Sequence, residues 1–100
     1  MKLAGKVVWI TGASSGIGEA LTYELAKKSC RLILSARRLE ELERVKSSCS
    51  ASSHANIAVL PLDLAATDSL KLTTEAAIYL FGHIDILINN GGISQRSLVK

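Results

Sequence analysis

This sequence predicts an α/β fold, a parallel sheet covered by helices on both faces, on three observations. Short runs such as Val7-Val8-Trp9-Ile10 and Leu32-Ile33-Leu34 are apolar at every position, as in strands buried on both sides. They alternate with longer amphipathic stretches of helical period. The glycine-rich stretch Thr11-Gly12-Ala13-Ser14-Ser15-Gly16-Ile17-Gly18 stands between the first apolar run and the first amphipathic one.

Val7 to Ile10 is the first strand. Ile17, Leu21 and Leu25 recur every four residues and predict a helix from Gly16 to Lys28, with Lys27 and Lys28 at the carboxyl end where the dipole favours cations. Leu32 to Leu34 is the second strand, ending near Ala36. Leu39, Leu42, Val45 and Cys49 mark a second helix, with Glu40 and Arg44 as an i,i+4 pair. The serine-rich stretch from Ser47 to Asn56 reads as a loop. Ile57 to Leu62 is a third strand, with Pro61 tolerated near its end. Thr67 or Asp68 caps a third helix whose apolar face holds Leu70, Ala77 and Phe81, and Gly82 stops it. Ile84 to Ile88 is the fourth strand. Right-handed crossovers then give the strand order 3-2-1-4, the first half of a dinucleotide-binding fold. The expected architecture is Rossmann-like, three-layered α/β/α and incomplete, a single domain over residues 1–100. With no fifth strand, Ile84 to Ile88 is expected to form an open apolar edge that makes the isolated chain marginal or sticky.

At 48% hydrophobic and 21% charged with net charge +3, the chain is of ordinary globular composition. It shows no apolar stretch long enough for a signal peptide or membrane span, so a cytoplasmic location is expected. Basic residues are scattered and only 4% of residues are aromatic, which argues against a nucleic-acid partner. Cys30 and Cys49 are far apart in sequence without a Cys-x-x-Cys, and His54 and His83 lack partners at metal spacing. Two reduced cysteines, two loop histidines and no metal are expected.

The glycine-rich stretch carries the chemistry. Gly12 permits the tight turn, Gly16 lets the backbone approach a pyrophosphate, and Gly18 lets helix and strand pack closely. The free N–H groups at the helix start, together with the positive end of the dipole, suit phosphates. The cofactor is read from the end of strand two. An NAD-selective site places Asp or Glu there, whereas this sequence has Leu34-Ser35-Ala36 followed by Arg37-Arg38. A guanidinium grips a 2′-phosphate bidentately, so NADP(H) is expected.

The spacing G-x-x-x-G-x-G, with Asp63-Leu64 after strand three and Asn89-Asn90-Gly91-Gly92 after strand four, resembles the short-chain dehydrogenase/reductase family from about Lys6 to the carboxyl terminus. The wording of VVWITGASSGIGE, LSARR, LERVKSSC, LPLDL and DILINNGGISQRSL is similar to that of the family's member 7 group. The resemblance implies roles residue by residue. Gly12, Gly16 and Gly18 match the phosphate-loop glycines. Ser14 and Ser15 match positions near the adenosine ribose and phosphates, and Ile17 the residue whose backbone meets the pyrophosphate. Asp63 is similar to the carboxylate that binds the adenine amino group, with the Leu64 backbone beside it. Asn90 and Gly91 match the segment under the adenosine ribose, and Asn89 helps hold the sheet. Gly91 stands where the family usually has alanine, with no loss of a binding side chain. Arg37 matches the family's basic position just past the strand, while Arg38 either stacks on adenine or faces water.

In that family Tyr-x-x-x-Lys is the catalytic signature, on a helix after a fifth strand. Tyr23-Glu24-Leu25-Ala26-Lys27 has the pattern but lies on the first helix, about 10 Å beyond Gly16 at ~1.5 Å per residue. Tyr79 is followed four residues later by His83 rather than lysine. No catalytic residue is expected among these 100. The resemblance therefore implies the nicotinamide dinucleotide-binding portion of an oxidoreductase acting on a small carbonyl or alcohol, with the chemical half and any oligomer interface in a longer parent. The alternative is a truncated, non-catalytic module that holds nucleotide or a partner. Relatives of the same subgroup add a second location, the endoplasmic reticulum membrane, for a longer form.

Overall fold

Side chains alternate across a strand, so each strand feeds two different layers. Val8 and Ile10 in β1 (Val7–Thr11) and Leu32 and Leu34 in β2 (Arg31–Ser35) point to one face of the sheet. Val7, Trp9 and Ile33 point to the other. All seven are buried, which is why the two segments read as apolar throughout. The computed structural model describes residues 3–62 and 67–90. Its sheet is parallel with order β3-β2-β1-β4, where β3 is Ile57–Val59 and β4 is Ile86–Asn89. This is the expected Rossmann-like order.

Helices α1 (Gly16–Lys27) and α2 (Leu39–Ser48) cover the first face. Leu42 and Val45 of α2 are fully buried in its core, and Tyr23, Leu25 and Ala26 of α1 pack against it. Helix α3 (Thr67–Phe81) covers the second face through Ala77 and Phe81. Burying a large aliphatic side chain contributes about 1.5–3 kcal/mol. The few polar groups within the layers are paired. The Trp9 indole N–H donates to Ser35 Oγ at 2.8 Å, and Thr22 Oγ1 donates to the Gly18 carbonyl at 2.8 Å.

Several boundaries differ from the sequence reading. The stretch from Ser47 to Asn56 is not a plain loop: α2 runs to Ser48, and Ala51–Asn56 is a 3₁₀ helix. The Ser53 N–H and hydroxyl both donate to the Ser50 carbonyl there, at 3.0 and 2.8 Å. His54 lies within this helix, its Nε2 3.1 Å from the Cys49 carbonyl. Strand β3 stops at Val59, although Leu60 and Leu62 N–H still donate to Leu34 and Ala36 carbonyls. Pro61 lies between these two donors, where an N–H would face away from β2, so its missing donor is tolerated on this outer strand. Strand β4 begins at Ile86 because Asp85 turns its side chain into the pairing: Oδ2 accepts the Val7 N–H at 2.8 Å while the Asp85 N–H donates to the Val7 carbonyl. As an edge strand β4 half-buries Ile86 and Ile88 and leaves Leu87 exposed. Cys30 and Cys49 are free and buried. No described helix is long and apolar enough to cross a membrane.

Helix α1 ends in a reciprocal pair of bonds, Ser29 N–H to Ala26 O and Cys30 N–H to Leu25 O. That motif puts Ser29 at φ 64, a left-handed conformation that penalises a Cβ. Ser29→Gly is expected to raise stability by about 0.5–1 kcal/mol, read as a higher urea midpoint at unchanged slope.

Candidate functional site

Strand β1 ends at Thr11, and the chain turns at Gly12 (φ 67) before α1 opens at Gly16 (φ 56). The loop is tied on both sides. Ala13 N–H donates to the Ser35 carbonyl at 3.1 Å, fixing it to the end of β2. Asn90 N–H donates to the Thr11 carbonyl at 3.2 Å, and Asn90 Nδ2 reaches the Gly12 carbonyl at 3.5 Å, fixing it to the end of β4. Thr11 Oγ1 donates to Asn89 Oδ1 at 2.8 Å, so Asn89 does brace the sheet. Gly18 closes the arrangement: a Cβ there would collide with the Gly12 carbonyl oxygen and come within 2.8 Å of Asn90 Nδ2. At Gly16 a Cβ would meet no atom of the described residues within 4 Å.

Ser15 is the N-cap of α1, yet its side chain makes no capping bond. The first bond of the helix is Glu19 N–H to the Ser15 carbonyl, at 3.3 Å. Among the described residues, therefore, the N–H groups of Ser15, Gly16, Ile17 and Gly18 have no acceptor. Aligned peptide dipoles add a partial positive charge, so this mouth suits an anion. Ile17 is 69% exposed beside it, not on the core-facing stripe that the four-residue period predicts; the buried residues of α1 are Gly18 and Thr22. The helix is rolled so that Gly18, the one residue thin enough for the loop, faces inward.

Past β2 come Arg37 and Arg38, both exposed and without an ion pair among the described residues. Arg38 is the N-cap of α2, and no carboxylate stands between Leu34 and Arg37. The structure thus brings together Gly12, Ser14, Ser15, Gly16, Ile17, Gly18 and Asn90 around one turn, with Arg37 and Arg38 just beyond the strand to which that turn is tied. Asp63, Leu64 and Gly91 lie outside the described residues.

A profile described as short chain dehydrogenase matches residues 6–100. The chain belongs to the short-chain dehydrogenase family. It is 56% identical to human dehydrogenase/reductase SDR family member 7 over 100 residues, covering 97% of this chain and 30% of that protein. It therefore spans about 30% of the length of that curated relative. Among solved structures it is similar to L-sorbose reductase from Gluconobacter frateurii complexed with NADPH and L-sorbose, at 32% identity and TM-score 0.81 over 95% of this chain and 37% of that one. It is also similar to a 3-ketoacyl-(acyl-carrier-protein) reductase from Brucella melitensis complexed with NADH, at 32% identity and TM-score 0.74 over 85% of this chain and 33% of that one.

The family's Tyr-x-x-x-Lys pattern at Tyr23 and Lys27 is not an activated pair. The Tyr23 hydroxyl donates to Glu19 Oε2 at 2.6 Å, and Lys27 pairs with Glu24 at 3.5 Å. The Glu19 carboxylate, then burial, push the Tyr23 pKa up, the opposite of what a phenolate base needs. Sequence reasoning missed a further contact. Arg44 pairs not with Glu40 but with Glu41 (2.9 Å) and Glu19 (3.1 Å), and it donates to the Ser14 carbonyl at 3.0 Å. The strand order carries a signal for it. Successive right-handed crossovers from β1 to β2 to β3 lay α1 and α2 side by side on one face, so the first turn of α1 and the middle of α2 come within side-chain reach.

Proposed function

We propose that this chain is the NADP(H)-binding portion of an oxidoreductase that interconverts a carbonyl and an alcohol. The observation that carries this reading is the mouth of α1: four backbone N–H groups without acceptors among the described residues, on a turn tied to the acid-free, arginine-flanked end of β2. The residues fit such a group. Gly12, Gly16 and Gly18 shape the turn, and the Ile17 backbone meets the diphosphate. Ser14 and Ser15 sit by the adenosine ribose and phosphates. Arg37 holds the 2′-phosphate, with Arg38 beside it. Asp63 and Leu64 take the adenine, and Asn90 and Gly91 the adenosine ribose. When bound, the nicotinamide ring gives or accepts the hydride. The small carbonyl or alcohol is the substrate class of the longer protein, and we assign no residue of this chain to the chemical step.

The relatives complexed with NADH and NADPH leave the choice of dinucleotide to the end of β2. Titration of NADPH and NADH by calorimetry tests it. NADPH is expected to bind about tenfold tighter, and Arg37→Ala to remove that preference, ~1.4 kcal/mol, while leaving NADH unchanged. Equal affinities in the starting protein defeat the NADP(H) assignment. The engaged Tyr23 favours a second reading, a module that binds nucleotide without turnover. Under either reading this chain is expected to show no NADPH oxidation with a panel of ketones, and measurable turnover would overturn the exclusion of Tyr23 and Lys27 from catalysis.

A further inference from the structure

Arg44 links three parts of the chain that the fold brings side by side. Its Nε donates to Glu41 Oε1 at 2.9 Å within α2. Its two terminal nitrogens grip the Glu19 carboxylate of α1 fork to fork, Nη1 to Oε2 at 3.1 Å and Nη2 to Oε1 at 3.2 Å. Nη2 also donates to the Ser14 carbonyl in the glycine-rich turn at 3.0 Å. An isolated surface ion pair contributes little. This one is bidentate, joins two carboxylates and holds a loop carbonyl.

Two consequences follow from elementary chemistry. In a trans peptide the carbonyl and the next N–H point in opposite directions, so anchoring the Ser14 carbonyl sets the direction of the Ser15 N–H. That N–H is one of the four at the mouth of α1 without an acceptor among the described residues. Secondly, Glu19 lies in the first turn of α1, where its charge suits the helix dipole but opposes a diphosphate arriving at the same end. The guanidinium neutralises it, and its bonds hold the carboxylate below its ordinary pKa, ahead of the weaker effect of the Tyr23 hydroxyl.

We infer that Arg44 is a positioning residue for the dinucleotide diphosphate: it aims the Ser15 N–H and screens Glu19, tying α2 to the glycine-rich turn. This rests on the dinucleotide reading above. Unlike Arg37, Arg44 acts on the part that NADPH and NADH share.

Calorimetric titration of both dinucleotides into the starting chain, R44A, R44K, E19Q and the E19Q/R44A double variant tests this, with thermal melts as a folding control. R44A is expected to weaken both dinucleotides about tenfold, and E19Q added to R44A to recover about threefold of that loss. R44K keeps the charge without the fork and is expected to lie between, about threefold weak. R44A within about twofold of the starting affinity overturns the inference. So does a loss confined to NADPH, or one that E19Q leaves in full. Should R44A not fold, R44K decides: unchanged affinity there overturns it. If the starting chain binds neither dinucleotide, the dinucleotide reading itself falls and takes this inference with it.

Discussion

Gly18→Ala is expected to destabilise the chain by about 3 kcal/mol and to abolish measurable dinucleotide binding. The added methyl would meet the Gly12 carbonyl oxygen and carbon, which are backbone and cannot swing aside as a side chain would. Relief requires either moving Gly12, which opens the turn, or moving α1 away from β1. Either displaces Asn90, whose amide lies 3.5 Å from the same Gly12 carbonyl. The contrast is Gly16→Ala, where a Cβ meets no atom of the described residues within 4 Å and the positive φ is what is penalised. That change is expected to cost about 1 kcal/mol. Urea denaturation of the two variants separates the cases, with a much larger midpoint drop for Gly18 at similar slope. Equal drops would show that the turn yields where the geometry says it does not.

Ile10→Ala is expected to cost about 3–4 kcal/mol, a large share of the ~5–15 kcal/mol that holds a domain of this kind. Ile10 is fully buried in the strand that pairs on both sides, opposite Leu34 and Ile88. Removing its side chain leaves a cavity that the sheet cannot close, because β1 is held in register by both neighbours. Leu87→Ala, on the edge strand and 56% exposed, is expected to stay within about 0.5 kcal/mol. Thermal or urea melts of the pair check the ranking.

The order of elements was legible because the strands of a doubly covered sheet are apolar at every position, and the helices between them keep a clear period. The turn was legible because glycine spacing encodes a backbone shape. What escaped was set by single contacts between elements. Nothing local to Arg44 says that it reaches Glu19 rather than Glu40. The start of β4 depends on Asp85 accepting a bond from Val7, far away in sequence. Ile17 joins a four-residue period but sits exposed, because the close approach at Gly18 sets the roll of α1. The 3₁₀ turn from Ala51 to Asn56 has no apolar period and is held by short serine bonds. In each case a local pattern was overruled by a neighbour that only the folded chain supplies.

Trp9 is the sole tryptophan, 5% exposed, with its indole on the Ser35 hydroxyl, and the carbonyl of that same serine restrains the turn through Ala13. The molecule thus carries a single indole, excitable at wavelengths where its two tyrosines do not absorb, wired to the joint between its first two strands. Emission from that indole reports loosening of the joint directly, without a label, in every melt described above.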